Sequence, residues 1–100
     1  MKMLIVCGAG ASSTFVALRV RQSAAERGLD LEVRPASEAL LDEHLVDTDV
    51  LLVGPHLADR FAAISDQAAA QAVAAVLMTE QMVTSPLGDA ALDAALAALK

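Results

Sequence analysis

The chain has 100 residues, 56% of them apolar but only two aromatic (Phe15 and Phe61), and a formal charge of −6. That length is enough for one domain over residues 1–100 with a single core, and leaves little for a second lobe. The acidic balance, with no basic patch or aromatic–basic interleaving, argues against a nucleic-acid partner. The longest apolar run, residues 72–78, falls far short of the roughly 20 residues a membrane helix needs.

Met3-Leu4-Ile5-Val6 is a short apolar run that reads as a buried strand, over about residues 2–6. It leads into Cys7-Gly8-Ala9-Gly10-Ala11-Ser12-Ser13-Thr14. Residues 7–12 read as a loop, with a helix from near Ser13 to about Arg27. Gly28 is a suitable stop for that helix and Leu29 a suitable hydrophobic follower. Ala17, Val20 and Ala24 mark its inward face, while Arg19, Arg21, Gln22 and Glu26 can stay wet. Residues 29–34 alternate apolar and polar, the period of a half-exposed edge strand, and Pro35 is expected to end it. Ser37 is a fair N-cap for a short helix over residues 39–45. Residues 50–53 are continuously apolar, as expected of a central strand covered on both faces.

Gly54-Pro55-His56 ends that strand. A helix is expected from about Leu57, with Leu57, Phe61, Ile64 and Ala68 at helical spacing. A fourth strand lies within residues 72–78. Residues 79–87 read as a loop with one helical turn. A last helix covers residues 90–99, with Leu92, Leu96 and Leu99 facing in. Strands alternating with helices predict a three-layer α/β fold: a four-stranded parallel sheet with helices on both faces, joined by right-handed crossovers. In flavodoxin-like order, 2-1-3-4, the ligand end lies at the strand carboxyl ends, between strands one and three. Cys7 and Gly54-Pro55-His56 should therefore meet.

The chain's one cysteine stands in a stretch of glycines and hydroxyls. The plain reading of a lone cysteine is a small buried hydrophobe. Its neighbours point to chemistry instead. Gly8 and Gly10 allow backbone N–H groups to converge on an anion, and the helix start adds a positive end. Ser12, Ser13 and Thr14 can donate further hydrogen bonds. The same surroundings favour a thiolate nucleophile.

Other phosphate loops fit poorly. The nucleotide loop G-x-x-x-x-G-K-[ST] needs a lysine that is missing here, and only the first two glycines of G-x-G-x-x-G are present. A cysteine phosphatase loop needs C-x-x-x-x-x-R, and Ser13 takes the arginine's place. The loop reads as able to accept and hold a phosphoryl group but poorly equipped to hydrolyse it, which suits a carrier. Two histidines and one cysteine without tight spacing argue against a metal site, and no cofactor is expected.

Cys7-Gly8-Ala9-Gly10-Ala11-Ser12-Ser13-Thr14, following a first strand, resembles the phosphorylated loop of enzyme IIB of the bacterial phosphoenolpyruvate-dependent sugar phosphotransferase system (PTS). The type it resembles is lactose/cellobiose, also called chitobiose, whose pattern is close to C-x-x-G-M-S-[ST]-[ST]. Residues 49–56 resemble that type's third strand and its Gly-Pro-Gln ending, so the similarity spans essentially the whole chain. Ala11 replaces the usual Met, His56 stands where Gln is frequent, and residues 79–87 match poorly.

The resemblance implies a relay. Enzyme IIA phosphohistidine gives its phosphoryl group to Cys7, and phosphocysteine passes it to a sugar, expected to be a disaccharide, held by membrane enzyme IIC. It also implies a cradle from Gly8, Ala9, Gly10, Ala11, Ser12, Ser13 and Thr14. Pro55 and His56 are candidates for outer positions; the plain reading of His56 is a solvated strand-end histidine. His44 reads as surface. Asp42, Glu43, Asp47 and Asp49 read as a solvated face, and Met78, Met82 and Val83 as either core filling or partner contact. Alternatives are a IIB-like regulatory or anion-binding module without transfer, and a small cysteine phosphatase. The N-terminal run has no signal-peptide layout, and one cysteine cannot form an internal disulfide. A cytoplasmic protein that docks to a membrane transporter is therefore expected.

Overall fold

The computed structural model describes residues 1–6, 10–36, 41–85 and 87–99, and of residues 10–13 the backbone alone. The elements are β1 (Lys2–Val6), α1 (Gly10–Glu26), β2 (Glu32–Ala36), α2 (Leu41–His44), β3 (Val50–Val53), a 3-10 helix (Pro55–Arg60), α3 (Phe61–Ala69), β4 (Ala74–Leu77), α4 (Glu80–Thr84) and α5 (Asp89–Ala98). The four strands form one sheet in the order β2-β1-β3-β4, parallel at every pairing. This is the predicted α/β fold, with its order.

The period of two along each strand divides the core. Met3 and Ile5 of β1 and Val50 and Leu52 of β3 face α1 and α5, packing with Val16, Ala17, Val20, Ala24, Leu92 and Ala95. Leu4, Val6, Leu51 and Val53 face the other layer, with Leu41, Leu57, Ile64 and Ala68. All four β3 residues are fully buried, which is why that strand reads as an unbroken apolar run. Alanine at 17, 24, 91 and 95 lets α1 and α5 lie close to the sheet and to each other.

Helix α1 ends by a Schellman pair: Leu29 N–H reaches Ala24 C=O at 2.9 Å and Gly28 N–H reaches Ala25 C=O at 3.1 Å. Gly28 sits at φ +69°, the left-handed position this motif requires. Leu29 is thus used as the follower, and β2 begins at Glu32 rather than Leu29.

Pro35 does not end β2 as expected; it pairs with Ile5 inside the strand. The edge position explains this. The Val33 carbonyl points away from β1 and accepts the Arg21 guanidinium at 2.8 Å. Pro35, two residues on, presents its hydrogen-less nitrogen to the same free edge. Arg21 also blunts that edge against pairing with another chain.

Further boundaries shift. Helix α1 starts at Gly10, three residues earlier than expected. Helix α2 spans only Leu41–His44, and Ser37, the expected cap, lies outside the described residues. Leu57 belongs to the 3-10 helix and is non-helical itself (φ −101°, ψ 15°), so the α-helical part begins at Phe61. Leu57, Ile64 and Ala68 are buried as expected, and Phe61 half-buried. Leu92 is buried, while Leu96 and Leu99 only flank the core.

Helices α1 and α5 are tied at their surface by Arg27, which bonds Asp93 at 2.7 Å and Asp89 at 3.2 Å. The Asp93 hydrogen bond is the main reason the Arg27 guanidinium is held above its usual range.

Candidate functional site

The strands stop in step at their carboxyl ends. Val6 is level with Ala36 and Val53, and Val53 with Leu77. Gly54 N–H then bonds Val6 C=O at 2.7 Å, and Met78 N–H bonds Val53 C=O at 2.7 Å. These bonds carry the pairing one residue beyond each strand and bring the Gly54-Pro55-His56 turn against the residue preceding Cys7.

Gly54 is buried and extended (φ −66°, ψ 150°), and Pro55 opens the 3-10 helix. A first helical position has no intrahelical use for its N–H, so proline costs nothing there. Leu57 buries its side chain beneath this turn, leaving His56 exposed on the outside.

The opposite wall comes from residues 79–84. Thr79 caps α4, its hydroxyl accepting Met82 N–H at 3.2 Å. Arg19 reaches across from α1 and donates to Val83 C=O at 2.8 Å. Met78 is buried in the core, and Met82 and Val83 pack against it, which favours core filling over partner contact for these three. Between the walls lies an open groove of about 140 Å³ lined by Pro55, His56, Glu80, Val83 and Thr84.

Of the predicted site residues, Cys7, Gly8 and Ala9 lie outside the described residues. Gly10, Ala11, Ser12 and Ser13 form the first turn of α1 by their backbone. The first four N–H groups of a helix have no intrahelical acceptor, and in α1 those belong to residues 10–13. Half of the loop expected over residues 7–12 is thus helix start. Thr14 is exposed on α1, as is Phe15 one residue on. His44 is half-buried and lines a separate cleft with Lys2, Glu32, Arg34 and Glu43. Those residues lie towards the amino ends of β1 and β2, and His44 has no part in the groove.

Sequence reasoning missed three contributors. Glu80 and Thr84 line the groove, and the threonine before Glu80 was a legible capping signal for that helix. Arg19 read only as a wet residue; its bond to Val83 spans 64 positions and leaves no local trace.

A parallel sheet doubly wound by helices, with a groove at its carboxyl edge between the segments that follow β3 and β4, defines a small α/β protein of the doubly wound class. Residues 2–93 match the family described as PTS system, lactose/cellobiose specific IIB subunit, and the chain belongs to that family. Comparison by sequence with curated proteins gives no match. Among solved structures, the chain is similar to the lactose-specific IIB component domain of the PTS from Streptococcus pneumoniae. The TM-score is 0.86 at 16% identity, over 100% of this chain and 98% of that one. It is also similar to the cellobiose-specific phosphotransferase IIB component of Borrelia burgdorferi, with a TM-score of 0.79 at 21% identity, over 99% and 91% of the two chains. At these identities the two structures speak for the fold. Among the described residues, no helix is long and apolar enough to cross a membrane.

Proposed function

We propose that this chain is a single-domain phosphocysteine carrier, a cytoplasmic phosphotransferase component that docks to a membrane transporter. The Cys7 thiolate attacks the phosphorus of an enzyme IIA phosphohistidine; the S–P bond forms, the N–P bond breaks, and the donor imidazole keeps the electron pair. A sugar hydroxyl held by enzyme IIC then attacks the same phosphorus. The O–P bond forms, the S–P bond breaks with Cys7 leaving as thiolate, and the hydroxyl's proton passes to solvent.

The observation that carries this reading is membership of the lactose/cellobiose IIB family over residues 2–93. The local chemistry supports it. Phosphoryl transfer needs alignment and neutralisation of spread negative charge more than covalent assistance. Backbone N–H groups from residues 8–13 and the hydroxyls of Ser12, Ser13 and Thr14 are suited to that. The cradle therefore runs from Gly8 through Thr14, with Pro55 and His56 beside it.

The test is intact-mass measurement after incubation with phosphoenolpyruvate, the general relay proteins and a lactose/cellobiose-type IIA, followed by site mapping. One phosphoryl group on Cys7, absent without IIA and absent in Cys7→Ser, is the expected result. A folded Cys7→Ser variant that still accepts the group would remove Cys7 from the mechanism. No gain with several IIA partners would favour a regulatory, anion-binding module.

A further inference from the structure

The segments that follow β1, β3 and β4 are nearly free of charge. Residues 7–18, 54–58 and 78–88 hold between them one Asp, Glu, Lys or Arg, and that is Glu80. Glu80 is exposed in the first turn of α4 and lines the groove of about 140 Å³ with Pro55, His56, Val83 and Thr84. Among the described residues its carboxylate makes no ion pair, with His56 or with any other base. Thr79 caps α4, and Arg19 holds the Val83 carbonyl at 2.8 Å. The carboxylate is therefore carried on a fixed wall.

An apolar helix face lies on the same side of the molecule. Phe15 and Leu18 of α1 are 59% and 50% exposed, and residues three apart on a helix are surface neighbours. Phe15 stands one turn before Arg19, whose guanidinium reaches Val83 in the groove wall. An exposed aromatic in uncharged surroundings has the composition of an interface centre.

A carboxylate alone on an otherwise uncharged face is matched by a cation from outside. A second copy of this chain has none to offer. Lys2, Arg27 and Arg34 are in ion pairs, Arg19 and Arg21 bond backbone carbonyls, and Arg60 is engaged as well. That accounts for every lysine and arginine among the described residues. On the carrier reading, the donor brings close to two negative charges to a chain of net charge −6. A base on the donor, seated against Glu80, offsets that repulsion.

We propose that this face docks the phosphoryl donor IIA: a lysine or arginine of IIA enters the groove against Glu80, and an apolar patch of IIA covers Phe15 and Leu18. The inference rests on the phosphocysteine reading. Glu80 then serves partner choice, the usual part of a charge at an interface rim.

The experiment mixes the full chain with phosphorylated lactose/cellobiose-type IIA and follows phosphoryl gain by intact mass, giving kcat and KM. Wild type, Glu80→Gln, Phe15→Ala and Val46→Ala are compared. Val46 is the control: it is 60% exposed but lines the cleft at the amino ends of β1 and β2. At about 0.05 M salt, Glu80→Gln should raise KM about fivefold with little change in kcat, the upper end for an exposed ion pair. At about 0.5 M salt that difference should fall below about twofold. Phe15→Ala should raise KM about tenfold at both salt concentrations, and Val46→Ala should follow wild type. The proposal is overturned if Glu80→Gln or Phe15→Ala keeps the wild-type KM at low salt, or if Val46→Ala raises KM as much as they do. Absence of phosphoryl gain by the wild-type chain would instead remove the phosphocysteine reading, and this inference with it.

Discussion

Gly88 is where α5 meets α1, and the contact leaves no room for a side chain. A Cβ built on Gly88 would lie 2.5 Å from the carbonyl carbon and oxygen of Arg19 and from the nitrogen of Val20, against 3.4 Å and above for ordinary contacts. All three atoms are backbone in the middle of a helix, so neither side can yield by a rotamer change. The backbone angles at Gly88 (φ −88°, ψ 6°) suit any residue, so the penalty is purely steric. Relief requires the start of α5 to move by roughly 0.9 Å. That disturbs the Leu92 and Ala95 packing and the Arg27 bonds to Asp89 and Asp93. Overpacking of this kind costs about 2 kcal/mol. For a domain of this size, Gly88→Ala should lower the melting temperature by about 8–16 °C. Gly88→Ser, at a helix N-cap where serine ordinarily helps, should be at least as damaging. Gly28→Ala makes the comparison: no atom lies within 4 Å of its Cβ, and only the left-handed backbone resists it. That costs about 1 kcal/mol. Thermal unfolding followed by circular dichroism decides. A Gly88→Ala protein as stable as wild type would mean that α1 and α5 do not approach this closely.

Arg19→Ala should leave the fold intact but loosen residues 80–84, because the guanidinium bond to Val83 C=O is lost. A hydrogen bond from a charged group is worth about 1.5–3 kcal/mol, so amide exchange in that segment should accelerate by at least about tenfold while β3 amides are unchanged. Ala72→Gly should stabilise the chain. Ala72 is held at φ +60°, a conformation that costs an L-residue roughly 1–2 kcal/mol, and glycine's own entropic loss returns only part of that. A gain of about 0.5–1 kcal/mol in urea unfolding is expected, and a loss would show the turn at Ala70–Ala72 to be wrongly described.

The fold was legible because its signals are local and repeat in register. The unbroken Val50–Val53 run marked the buried strand, the alternation before Pro35 marked the edge, and Gly28 marked the end of α1. What escaped were features decided by contacts between distant segments. Proline breaks ladders, so Pro35 reads as a terminator; that it sits harmlessly on the free edge depends on the orientation of Val33, which only the sheet reveals. The split between the 3-10 turn and α3 escaped because Leu57 and Phe61 keep helical spacing while the backbone between them is kinked. The groove was half legible. Gly54-Pro55-His56 announced itself as a strand end, but its facing wall is held in place by Arg19 from a different layer.

On the phosphocysteine reading, a chain of net charge −6 has to carry a further anion, and the fold sets two of its acids, Glu43 and Asp49, far from the carboxyl end of β1. Asp49 accepts Lys2 N–H at 2.8 Å, at the amino end of β1. Glu43 shares a cleft with Lys2 and Glu32 at that same end. Four residue steps of β1 separate Lys2 from Val6, about 13 Å at strand spacing. Two unit charges that far apart in water interact by about 0.3 kcal/mol before screening. With a Debye length of about 8 Å at physiological salt, less than ~0.1 kcal/mol is left. The exposed acids Glu43 and Asp49 should therefore scarcely affect a phosphoryl group at the carboxyl end. Glu80 is different, since it lines the groove with His56. Glu43→Gln and Asp49→Asn should each change the phosphorylated fraction at equilibrium with IIA by less than about 1.2-fold, whereas Glu80→Gln should raise it measurably. If the two distal variants raised it as much as Glu80→Gln does, charge would be acting over the whole surface, and the groove would have no privileged part in holding the anion.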